Sequence, residues 1–153
     1  MVILTANKDE ALDNDYVDIK YRVLTPRISQ IIEICNQGTQ VLWGKQDDKQ
    51  FKINSHDILY IEWVDCQSCI CTEKDVYTTK QSVTQLGKQL DVNRFIRISK
   101  SMLVNIHQIK WISSVWNMKV LVELKSGERV MVSRNYRHQL LDAIYKLGKE
   151  ISK

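Results

Sequence analysis

The sequence predicts a mainly β fold with short helices, an α+β arrangement of antiparallel sheets preceded by a strand-helix appendage at residues 1–38. Three observations carry that expectation. Short runs of β-like residues recur from position 40 to 133, each bounded by polar turn residues. Helical periodicity is confined to three places, one of them only about two turns long. The chain has one proline and five glycines, with 44% hydrophobic and 26% charged residues, which is the composition of a folded domain rather than a disordered one.

The elements follow in order. Val17, Ile19, Tyr21 and Val23 alternate with Asp18, Lys20 and Arg22, the two-residue period of a half-buried strand. Thr25 then caps a helix with Pro26 in its first turn. Ile28, Ile31, Ile32 and Cys35 recur at helical spacing, and Gly38 closes it. Next come the strands QVLW, FKI, DILYIEW, SCICT and DVYTT. Ser82 and Gln85 form a capping box for a short helix that presents Val83, Leu86 and Leu90 on one face. The runs RFIRI, SMLVNI and KWISSVW follow, then the hairpin KVLVEL–KSGE–RVMVS, with Gly127 supplying its turn. A last helix carries the stripe Tyr136, Leu140, Leu141, Ile144 and Leu147, with Ser133 or Asn135 as its cap. No internal repeat or Pro/Gly linker divides residues 39–150, which read as one domain.

Charge is distributed unevenly. Residues 1–92 hold 10 Lys and Arg against 14 Asp and Glu, net −4, whereas residues 93–153 hold 12 against 4, net +8. A polyanion would meet the second half, and such asymmetry points toward nucleic acid. No apolar run approaches the roughly 18 residues that span a bilayer, and the acidic start does not resemble a secretory signal. A cytoplasmic protein with reduced cysteines is expected.

The segments DILYIE at 57–62, FIRISKSMLVNI at 95–106 and VMVSRNY at 130–136, with a short helix between the first two, resemble the LytTR family of bacterial DNA-binding domains over about residues 40–147. The resemblance implies antiparallel sheets that bind double-stranded DNA through loops, and regulation of transcription, commonly at paired direct repeats. Many relatives carry an N-terminal receiver domain. The 38 residues before the match are too few for one, so the chain looks like the stand-alone kind, for which the resemblance also suggests a membrane protein as an inhibitory partner. Residues 15–38 could support a homodimer, and a monomer that pairs only on repeated sites fits equally well.

By the same resemblance, DNA contacts fall on three segments. The first is residues 65–69, including Ser68 and Cys69. The second is Ser99, Lys100 and Ser101; the third is Ser133, Arg134, Asn135 and Arg137. Residue chemistry fits these assignments. The planar donor fork of Arg134 suits guanine O6 and N7, and Lys100 suits a base or a phosphate. Ser99, Ser101 and Ser133 offer short hydroxyls for phosphate oxygens, and Arg97, Asn135 and Arg137 are expected to hold phosphates, Arg97 adding to the positive field beside Lys100. Relatives often have histidine at the position of Ser99, and some have one near Ser68, so the first loop is expected to read less here.

Other chemistry finds little support. Cys66, Cys69 and Cys71, with Cys35 or His56, invite a zinc reading, but no second C-x-x-C pair follows, and alternation places Cys69 and Cys71 on one strand face as small hydrophobes. His56, His107 and His138 are scattered and no glycine-rich phosphate loop occurs, so neither an enzyme nor a cofactor is expected. Trp111 and Tyr136 are expected in the core. The alternative function is a protein-interaction module that offers an edge strand or its first helix to a protein partner.

Overall fold

The computed structural model describes residues 3, 5–9, 11, 17–36 and 40–151. The chain divides into two compact units, residues 1–38 and 39–153.

In the first unit, helix α1 spans Pro26–Asn36. Thr25 caps it: its Oγ1 accepts from the Ile28 amide at 3.3 Å and its carbonyl accepts from the Ser29 amide at 2.9 Å. The predicted closing residue, Gly38, lies outside the described residues. Ile28 and Ile32 are half-buried, while Ile31 and Ile34 are exposed. The strand predicted over Val17–Val23 is not formed, and Val17, Tyr21 and Val23 are exposed. Alternation marks a strand only where a partner takes up its backbone hydrogen bonds, and no second strand exists among the described residues of this unit.

The described residues of the second unit form ten strands, β1 (Val41–Gln46), β2 (Lys49–Asn54), β3 (Ile58–Val64), β4 (Gln67–Thr72), β5 (Val76–Thr79), β6 (Phe95–Ser99), β7 (Met102–Asn105), β8 (Ile109–Ser114), β9 (Val120–Leu124) and β10 (Arg129–Val132). Helix α2 (Val83–Gln89) separates β5 from β6, and α3 (Arg137–Ile151) ends the unit. A seven-stranded sheet has the order β2-β1-β5-β4-β3-β7-β6, and a three-stranded sheet the order β10-β9-β8. Every strand pair is antiparallel.

Local chemistry explains the tight hairpins. Asp47 and Asp48 between β1 and β2, and Asp65 and Cys66 between β3 and β4, all have positive φ, which gives two-residue turns whose twist matches that of the strands. The capping box of α2 is present, with Ser82 Oγ accepting from the Gln85 amide and Gln85 Oε1 accepting from the Ser82 amide. Gly127 takes φ +94° in the β9–β10 turn, where a side chain would be strained.

The larger sheet is covered on both faces, so its central strands supply two cores. Ile61, Ile70, Leu103 and Phe95 point to one face, where Val83, Leu86 and Leu90 from α2 and its C-terminal cap cover them. Leu59, Val104 and Ile98 belong to the opposite core, which is closed by Val120, Val122, Leu124 and Val132 of the smaller sheet and by Leu140 of α3. Burying each such side chain is worth about 1.5–3 kcal/mol. Tyr136, Ile144 and Leu147 join that second core as the helical spacing predicts, whereas Leu141 of the same stripe does not. Trp111 does not. It stands half-exposed on the outer face of the smaller sheet beneath the Arg129 guanidinium, 5.4 Å from its ring centroid. The alternating pattern of β8 placed Trp111 on a strand but could not say which face the second sheet would leave open.

Asn105, fully buried, fastens the base of the sheet. Its Nδ2 donates to the Ile58 carbonyl at 2.9 Å, beside a bulge in β3, and its Oδ1 accepts from the His107 amide at 3.1 Å.

Candidate nucleic-acid interface

Two backbone hydrogen bonds gather the three predicted contact segments at one end of the second unit. The Trp63 amide donates to the Ser101 carbonyl at 2.8 Å, which sets the β3–β4 turn at Asp65–Cys66 beside the β6–β7 turn. The Ser133 amide donates to the Ile98 carbonyl at 2.9 Å, which brings the chain leaving β10 to the end of β6, next to Ser99. Positions 35 and 38 residues apart in sequence therefore become neighbours.

The β6–β7 turn is held by its own side chains. Ser99 Oγ accepts from the Ser101 amide at 3.2 Å and lies 3.4 Å from Ser101 Oγ. A bulge between Arg97 and Ser99 turns the Arg97 guanidinium back under this loop. Its Nε donates to the Ser99 carbonyl at 3.1 Å, one terminal nitrogen donates to the Thr84 hydroxyl of α2 at 3.1 Å, and the other to the Lys100 carbonyl. Arg97 is thus a brace for the turn, whereas sequence proximity alone suggested a phosphate contact. Lys100 at the tip is exposed, and no acid pairs with it among the described residues.

Ser133 leads into a single 3₁₀ turn, Arg134–Tyr136, that runs directly into α3. The Tyr136 amide donates to the Ser133 carbonyl at 3.0 Å, and the Ser133 side chain makes no capping bond, so the predicted side-chain cap is not used. Arg134 and Asn135 project as exposed residues and Arg137 is half-buried. Arg134 and Arg137 also have no acidic partner among the described residues. Cationic side chains left unpaired at one edge are ready to meet a polyanion, because no internal ion pair must first be broken.

The first segment departs from expectation. Ser68 is 0% exposed and its hydroxyl donates to the Gln81 carbonyl at 2.7 Å, so it cannot offer that group to DNA. Its position one residue inside β4, facing the Gln81 end of β5, is set by sheet register, which the local sequence does not reveal. Cys69 is half-buried, and burial together with nearby Glu62 and Asp65 pushes its thiol pKa up. Cys71 shares its strand face and is buried, its thiol pushed up to about 11 chiefly by burial. Among the described residues no three His, Cys, Asp or Glu side chains are grouped as a metal site needs. No described helix is long and apolar enough to cross a membrane.

Two packed antiparallel sheets, with helices at the periphery and the exposed cations Lys100 and Arg134 at one end, define a small β-rich domain. The sequence profile of the LytTr DNA-binding domain matches residues 48–145, more than half of the chain, and the chain belongs to that family. A solved LytTr DNA-binding domain from Bacillus cereus superimposes with a TM-score of 0.66 at 27% identity, covering 70% of this chain and 98% of that one. The sensory transduction protein LytT of Bacillus anthracis is 32% identical over 88 residues, 58% of this chain and 36% of that protein. LytT of Bacillus subtilis is 30% identical over 121 residues, 79% of this chain and 50% of that protein. The chain thus spans between a third and a half of the length of these LytT relatives. An uncharacterized HTH-type transcriptional regulator of Staphylococcus aureus matches over 88% of this chain and 90% of its own length at 27% identity. In this chain the three described helices are each separated by strands, so no helix-turn-helix is formed among them.

Proposed function

We propose that this chain is a cytoplasmic regulator of transcription that binds double-stranded DNA sequence-specifically through turns rather than through an inserted helix. Lys100 and Arg134 read base edges. Ser99, Ser101, Ser133, Asn135 and Arg137 fix register on phosphates, with Cys69 and the β3–β4 turn at the margin. Arg97 acts indirectly, as a positioning residue for Lys100. The observation that carries this reading is that unpaired Lys100 and Arg134 are brought to one edge by the bond between Ser133 and Ile98. A domain this small covers a short site, so pairing on direct repeats, by a homodimer or by two monomers, supplies the rest of the specificity.

Selection of duplexes from a random library, followed by gel shifts over a salt series, tests the reading. Affinity should fall steeply with salt. Arg134→Ala should lose about 1–3 kcal/mol and relax preference at one base pair. Equal binding of selected and random duplexes by wild type and Arg134→Ala, or salt-insensitive capture of a protein with no DNA retention, would overturn it.

A further inference from the structure

We propose that the β8–β9 turn, residues 115–119, is a fourth DNA-contacting segment, in which Trp116 and Met118 enter the minor groove beside the site read by Arg134 and Lys119 meets the adjoining backbone. This rests on the duplex-binding reading above and extends it to residues outside the three segments.

The register of the smaller sheet places the turn. Ser114 of β8 pairs with Val120 of β9, and Val120 pairs with Val132 of β10, so the three form one row across the sheet. The chain leaves that row in two places on the same edge, through the turn at 115–119 and through Ser133 toward Arg134. Lys119 precedes Val120 and Ser133 follows Val132, which sets them side by side in the continued register. Neighbouring strands lie about 4.8 Å apart, so a tip above β8 and β9 stands roughly 5–10 Å to the side of Ser133. With Arg134 in a major groove about 12 Å wide, that offset sets the tip over the flanking backbone, from which long side chains such as Trp116 and Met118 extend toward the adjoining minor groove.

The turn is built to hold its shape. The Val115 amide donates to the Lys119 carbonyl at 2.9 Å, and Asn117 and Met118 both take left-handed φ, 60° and 59°. For methionine this conformation is uncommon and costs stability. Its result is to hold Trp116 at 85% and Met118 at 61% exposure, two large apolar side chains at a tip with no core beneath them. Lys119 is exposed with no acidic partner among the described residues. Apolar wedges flanked by a cation suit partial unstacking of a base step, which bends the duplex and lets it wrap more of the protein. Continuity with the basic edge selects duplex DNA as the occupant.

The test uses the full chain and a duplex selected by the wild-type protein from a random library. Trp116→Ala/Met118→Ala should weaken binding at least about fivefold and reduce the bend read by circular-permutation gel mobility, with the thermal midpoint unchanged. Lys119→Ala should lower the slope of log affinity against log salt by about one. The proposal is overturned if both variants bind and bend the duplex as wild type does while Arg134→Ala loses binding. If Arg134→Ala also binds as wild type, the duplex-binding reading itself has failed.

Discussion

The backbone amide of Ser133 donates to the carbonyl of Ile98 at 2.9 Å, joining the last residue before the 3₁₀ turn to the penultimate residue of β6. This bond couples the smaller sheet to the larger at the edge where the basic side chains emerge. Ser133 has φ −67°, a value that proline adopts without strain. Ser133→Pro therefore removes the donor with little change in backbone preference, whereas Ser133→Ala keeps it. Thermal unfolding should show the proline variant about 1 kcal/mol or more below the alanine variant, and gel shifts should show weaker DNA binding for proline alone. Identical behaviour of the two would mean that the bond does not organise the edge.

Arg97 and Lys100 are separable by salt. Arg97 donates to two carbonyls and to Thr84, and the Lys100 ammonium donates to no group among the described residues, so their alanine variants should fail differently. Arg97→Ala should weaken DNA binding with an unchanged salt slope, because no phosphate contact is lost. Lys100→Ala should lower the slope by about one if it meets a phosphate, or relax one base position if it reads a base. A lowered slope for Arg97→Ala would return that residue to the contact surface.

Asn105 makes the base of the sheet sensitive to a single amide. Asn105→Ala leaves the Ile58 carbonyl without its side-chain donor in a buried site, and a loss of about 1–3 kcal/mol is expected from denaturant unfolding.

Protonation of His107 opposes folding. Burial lowers its pKa, Arg94 lowers it further by more than Asp91 raises it, and Lys125 and His56 add smaller pushes downward. The unfolded chain then takes up this proton first, so the contribution is fully present above the ordinary histidine pKa of about 6.5 and declines as pH falls through it. Below the folded-state value the dependence flattens. Wild-type stability minus that of His107→Gln, measured by urea unfolding across this range, should drop on the acid side; a rise would reverse the assignment.

Cysteine reactivity should be graded. Cys35 and Cys66 are exposed, Cys69 is half-covered with a raised pKa, and Cys71 is buried with a thiol at about 11. A chromogenic disulfide reagent near neutral pH should titrate Cys35 and Cys66 promptly and Cys69 slowly. Cys71 should react only after unfolding.

Sequence pattern carried the architecture from Val41 onward because nearly every strand there has at least one face against a core, and burial is what alternation records. Val17 to Val23 show the limit of that logic, since the same alternation without a pairing edge forms no strand. At the site, the position of Arg134 beside Ser99 was anticipated by family resemblance and is realised by a backbone bond that no side chain announces. The burial of Ser68 and the inward turn of Arg97 depend on register and on a bulge, both of which are long-range properties. The runs KWISSVW and KVLVEL take in Val115, Trp116 and Lys119 as strand residues and leave only Asn117 and Met118 between them, with no glycine or proline to mark a turn. Its left-handed residues are Asn117 and Met118, and methionine gives no turn signal.

The turns at this edge are suspended from main-chain groups, Trp63 to Ser101 and Ser133 to Ile98, and braced by the bonded side chains of Arg97 and Ser99, so the identity of Lys100, Arg134 and Asn135 is uncoupled from the geometry that presents them. Such a scaffold is easily retargeted. Randomising Lys100, Arg134 and Asn135 together should yield mostly folded proteins with new DNA preferences, and a lineage using this fold could exchange one operator for another in a few substitutions without passing through an unfolded intermediate.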